Sequence, residues 1–163
     1  MVKLTKKARI DYARKEFDDI NNQIKNKKEL THYDFLRIRN FKLQNFSAAS
    51  EEEIKEKTKK AFELAEKNKI KEAIEELCKL HGIAIPIAST ILSMKFPEKY
   101  AIIDRLLIEE LGEKDWLNPA YSPRYKTDPK IYVEYINLMR KKAKEYGVKL
   151  RDFERGIWEK KTK

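Results

Sequence analysis

Apolar side chains recur at spacings of three and four along almost the whole chain. No stretch shows a convincing period-two alternation. That pattern confines the chain to helices packed on helices. Ile10, Ala13, Phe17, Ile20 and Ile24 form one helical stripe. Thr31 with Asp34 resembles a capping box ahead of Phe35, Leu36 and Ile38, and Ser50 with Glu53 is a clearer one. Glu51, Glu52 and Glu53 occupy a first turn, where the helix dipole favours negative charge. Ile54, Ala61, Phe62 and Ala65 carry that helix to Asn68, and Ile70, Ala73, Ile74 and Leu77 open the next. Pro86 suits the start of a helix through Ile87, Ala88, Ile91 and Leu92. Asp104 is expected to start a helix from Arg105 to Leu111. Three prolines make 118–129 the least regular segment. Two helices, from about Ile131 to Tyr146 and from Arg151 to Trp158, close the chain on either side of Gly147. The expected architecture is all-α: one compact helical domain over residues 1–163, or two small lobes with a cleft.

Composition narrows the function. At 163 residues and 41% hydrophobic, the chain can fill one core. A single cysteine, Cys78, excludes an internal disulfide, a thiolate zinc site and an iron–sulfur cluster. Two histidines make a histidine metal cluster implausible. The sequence has no Gly-rich phosphate loop and no HExxH. No apolar run approaches a membrane span, and the first residues lack the apolar core of a secretion signal. The expected setting is the reducing cytoplasm, with no membrane partner.

The net charge of +10 is uneven. Residues 1–50 hold 12 basic and 6 acidic side chains, residues 51–120 hold 12 and 15, and residues 121–163 hold 13 and 6. Basic surfaces attract phosphate polymers by counterion release. A Lys- and Glu-rich surface of the thermophilic kind has the same composition.

The most informative stretch runs from Leu77 to Leu92. It reads as a helix, a four-residue turn and a second helix. Gly82 supplies backbone freedom, and the free N–H groups of a helix start can meet a phosphate. An ordinary αα-hairpin would look the same locally. Beyond it, Ala101-Ile102-Ile103-Asp104 leads into the next helix.

Leu80-His81-Gly82-Ile83-Ala84, then Ala88, then Ile102-Ile103-Asp104 together resemble the helix-hairpin-helix base-excision DNA glycosylase superfamily. The core of the likeness covers residues 77–111, within a helix-hairpin-helix and following aspartate expected at 70–111. It implies a protein that binds double-stranded DNA as a monomer, extrudes a damaged base and cuts its glycosidic bond. It implies no cofactor beyond a monovalent cation at the hairpin. Asp104 takes the place of the family's catalytic aspartate. Lys79, His81, Gly82, Ile83, Ala84 and Ile85 take the place of the DNA-backbone grip. An aspartate before a helix is also an ordinary cap. The family's second hairpin glycine is Ala84 here. Pro86 or Ile85 stands where bifunctional members carry a Schiff-base lysine, so strand cleavage is not expected unless Lys79, Lys95 or Lys99 reaches the site.

A flipped base needs a stacking partner and a polar edge-reader. Phe41, Gln44, Asn45 and Trp158 are the candidates for that pocket, with Phe46 more in keeping with core. Two further readings stay open: a non-catalytic helix-hairpin-helix DNA-binding module, and a helical interaction protein with no nucleic-acid role.

Overall fold

A computed structural model describes residues 3–42 and 49–162. Gln44, Asn45 and Phe46 therefore lie outside the described residues. Within these residues the chain is helical, with no strand. The helices are α1 (Lys6–Ile24), α2 (His32–Lys42), α3 (Glu51–Glu66), α4 (Ile70–Cys78), α5 (Ile85–Lys95), α6 (Arg105–Leu111), α7 (Arg124–Thr127), α8 (Pro129–Glu145) and α9 (Leu150–Lys161). A short 3₁₀ turn, Lys114–Leu117, precedes α7.

The helix ends follow local chemistry. Thr31 and Asp34 cap α2 reciprocally: the Asp34 amide donates to Thr31 Oγ1 (3.2 Å) and the Thr31 amide donates to Asp34 Oδ2 (2.9 Å). Ser50 Oγ accepts from the Glu53 amide at 3.2 Å and starts α3. Asn68, at φ 59°, turns the chain from α3 into α4. The turn after α4 is longer than four residues. At Lys79 and Leu80 the amides shift to carbonyls three residues back, Glu76 and Leu77, so α4 ends at Cys78.

Helix α5 is the hub. Its residues are buried on every side, including Ser89, Thr90, Ser93 and Lys95, as expected for a helix enclosed by others. It packs against α1, α2, α4 and α7. Lys95 ties it to the end of α1: its Nζ donates to the carbonyls of Ile24 (3.1 Å), Lys25 (2.7 Å) and Lys27. Those carbonyls lie at and just beyond a helix C-terminus, where a cation is favoured. Asn21 reaches back to the Met94 carbonyl at 2.7 Å. A continuous core runs from Phe17 to Ile157 and draws on every helix. No helix among the described residues is long and apolar enough to cross a membrane.

Candidate functional site

After an exposed turn that follows α5, the chain runs buried and outside any helix up to α6. Tyr100, Ala101, Ile102 and Ile103 are all nearly inaccessible. A buried segment outside regular structure must find partners for its peptide groups elsewhere. Here side chains supply them. Tyr132 Oη donates to the Ala101 carbonyl (2.8 Å) and Tyr135 Oη to the Ile102 carbonyl (2.6 Å). The Ile102 amide donates to Glu154 Oε1 (2.6 Å) and the Ile103 amide to Ser89 Oγ (3.0 Å). Burial pushes both tyrosine pKa values well above 10, so the hydroxyls remain donors. The upstream end is held too. Tyr100 Oη donates to the Ala65 carbonyl (2.7 Å), and the Arg140 guanidinium donates to the Lys99 carbonyl (2.8 and 2.9 Å) while covering the Tyr100 ring. Arg140 is thus turned onto its own fold.

This rail ends at Asp104, the N-cap of α6. Its Oδ1 accepts from the Leu107 amide at 2.9 Å. Asp104 lies on the wall of a cavity of about 440 Å³, within the usual range for small-molecule sites. The other walls come from both ends of the chain. Leu4, Tyr12 and Arg14 lie in or before α1, Phe41 and Lys42 end α2, and Arg151, Glu154, Arg155 and Trp158 belong to α9. So the two basic flanks meet around an aspartate borne by the acidic middle of the chain. Phe41 and Trp158, named from sequence as pocket candidates, share this cavity with Asp104.

Three of the arginines that line the cavity pair with carboxylates. Arg151 pairs with the fully buried Glu154 and lies 3.5 Å from the centre of the Phe17 ring. Arg14 pairs with Glu159, and Arg155 with Asp18. Burial pushes the Asp104 carboxyl above its ordinary pKa, against the opposing pull of the Leu107 amide and the Lys42 charge. Burial likewise raises Glu154, opposed by Arg151. Burial lowers Lys42, while Asp104 and Glu154 oppose the shift. The cavity thus holds acids and a base whose pKa values are drawn towards neutrality, a common property of reactive sites.

A raised folded-state pKa contributes stability that is complete below the unfolded value and is lost as pH rises through the folded value. Ionising Asp104 therefore costs stability, and Asp104→Asn removes that cost. Between about pH 4 and pH 7 the variant is expected to gain stability relative to wild type in urea denaturation. A difference that stays flat or reverses with rising pH would contradict the burial of this carboxylate.

The hairpin candidates lie elsewhere. Lys79, His81, Gly82 and Ala84 are on the surface or close to it, whereas the side chains of Ile83 and Ile85 are in the core. Only the main chain of those two isoleucines can meet a partner. Gly82 sits at φ 80°, where a side chain is strained. Helix α5 starts at Ala84 without a side-chain cap, which leaves the Ile85 and Ile87 amides uncapped, while Pro86 between them has no amide to offer. The hairpin touches the rail through Ser89 of α5 but does not line the cavity. A monovalent cation at the turn would draw on main-chain carbonyls, because residues 79–84 carry no acidic side chain.

Sequence reasoning missed Lys42, Ser89, Tyr132, Tyr135 and Glu154 as parts of this site. The two tyrosines both fill the core and hold the rail. Burial pushes the Cys78 thiol up to about 11, so it is no nucleophile at neutral pH. Comparison with protein-family models, with curated proteins and with solved structures finds no match for the chain.

Proposed function

We propose that the chain is a DNA-binding protein that receives an extruded, damaged base in the cavity and hydrolyses its glycosidic bond: a monofunctional N-glycosylase acting on double-stranded DNA as a cytoplasmic monomer. The observation that carries this reading is Asp104, fixed by the rail and facing the same cavity as Phe41 and Trp158. An ionised carboxylate there can stabilise the cation that develops on the sugar and take a proton from the attacking water. Aromatic walls suit a planar base. The exposed Gly82 turn and the uncapped first turn of α5 offer amides to a backbone phosphate.

The lyase route gains no support from the lysines first considered for it. Lys79 pairs with Glu76 at 2.8 Å, Lys95 is spent on the α1 carbonyls, and neither they nor Lys99 line the cavity. The second reading, a non-catalytic DNA-binding module, is favoured by Ala84 and Pro86 in the turn and predicts salt-dependent binding indifferent to a lesion.

A gel assay separates the two. Duplexes carrying uracil, hypoxanthine, 8-oxoguanine or an alkylated purine are incubated with excess protein, and abasic sites are cleaved with hot alkali. The glycosylase reading predicts base release from at least one lesion. Binding to all of them with no release favours the module.

A further inference from the structure

Asp104 does not face the cavity alone. Lys42, at the end of α2, lines the same cavity and lies within electrostatic reach of both Asp104 and Glu154. It differs from Arg14, Arg151 and Arg155, each of which has a carboxylate partner. Among the described residues no hydrogen bond or ion pair within 4 Å holds its ammonium. A desolvated cation without a bonded partner is costly, and an occupant of the cavity could relieve that cost.

We propose that Lys42 is a second catalytic residue, acting on the departing base while Asp104 acts on the sugar, and that the pair selects neutral bases that leave as anions over bases carrying a fixed positive charge. The assignment rests on the glycosylase reading. Breaking a glycosidic bond separates charge, with the sugar becoming cationic and a neutral base anionic. A carboxylate on one side of the cavity and an ammonium on the other complement that separation and are worth most where water is excluded.

The C1′–N bond breaks heterolytically and its electron pair stays on the base nitrogen. The base takes a proton from the Lys42 ammonium. Water adds to C1′ and its second proton passes to Asp104. Return of that proton to Lys42 through solvent restores the site, so one water is consumed per base released. Burial holds the Lys42 pKa below the usual lysine value, which makes it a better acid near neutral pH. An N-alkylpurinium leaves as a neutral base. It needs no proton, and Lys42 repels it on entry.

The test pairs kinetics with binding, using the full chain. Single-turnover base release is measured on uracil, hypoxanthine and 8-oxoguanine duplexes and on a 7-methylguanine duplex, for wild type, K42M and K42Q. Removing a half-buried charge that no described residue bonds should not unfold the protein, and thermal melting checks this. Both variants are expected to slow release of the neutral bases about 100-fold, and release of 7-methylguanine less than about threefold. In parallel, quenching of tryptophan fluorescence measures binding of free xanthine as its monoanion and of the quaternised 7,9-dimethylguaninium cation. Wild type should prefer the anion at least about tenfold, and K42M should abolish that preference.

Fastest release of 7-methylguanine, unmoved in either variant, overturns the role of Lys42 and leaves the glycosylase reading standing. A borohydride-trapped complex that is lost in K42M places the amine on the sugar instead of the base, and also overturns it. An anion preference with no base released from any duplex overturns the glycosylase reading, and the catalytic role falls with it.

Discussion

Asp104→Asn is expected to slow base release about 1,000-fold, close to 4 kcal/mol of transition-state stabilisation, while leaving the fold and DNA affinity in place. Asparagine caps a helix about as well as aspartate, so the bond to the Leu107 amide survives in kind. What is lost is the negative charge that faces the sugar. Because the rail fixes the backbone just ahead of residue 104, the amide cannot move far to compensate. Release within tenfold of wild type would mean that Asp104 is only the cap of α6. A parallel loss of DNA binding would place its role in affinity instead of catalysis.

The largest stability effect is expected at Glu154. Its carboxylate is 3% exposed, accepts the Ile102 amide and pairs with Arg151. Glu154→Ala strands a buried guanidinium and an unpartnered N–H together, a loss of about 3–5 kcal/mol. Against total stabilities of roughly 5–15 kcal/mol for a domain of this size, the variant should be near the limit of folding at 37 °C. Glu154→Gln keeps an acceptor for Ile102 and loses only the charge, so its cost should be about 1–3 kcal/mol. Urea denaturation of the two variants checks the order. Equal losses would mean that the ion pair with Arg151, not the support of the rail, dominates.

Much of the scaffold was legible because helix ends are decided locally. Thr31 with Asp34, Ser50 with Glu53, Asp104 before Arg105 and the glycine at 147 each act on atoms within a few residues. The aspartate and two aromatic walls could be named for a related reason: charge at a helix start and aromatics near chain ends are visible one at a time. The rail was not legible. Ile102 meets Glu154 across 52 positions and Tyr135 across 33, and no periodicity encodes such a pairing. A buried tyrosine on a helix stripe announces its ring but not the carbonyl its hydroxyl will find. Lys42 escaped notice for the same reason. At the end of a basic helix it looks like a favourable partner for the dipole, and only the meeting of α2, α6 and α9 encloses it.

The uneven charge takes its meaning from this arrangement. The acidic middle of the chain supplies the aspartate and its rail. The basic flanks supply arginines and Lys42 to the cavity walls.

The central claim is that Asp104 faces a sugar that becomes cationic. Its most direct measurement is the affinity for a duplex bearing a pyrrolidine abasic analogue, which is cationic at neutral pH, relative to the same duplex bearing the neutral tetrahydrofuran analogue. Transition-state mimics bind more tightly than their neutral counterparts when a site is built for the charge they carry. Wild type should prefer the pyrrolidine at least about tenfold, or roughly 1.4 kcal/mol, and Asp104→Asn should bring the ratio close to one. Equal affinities in the wild-type protein would contradict the account.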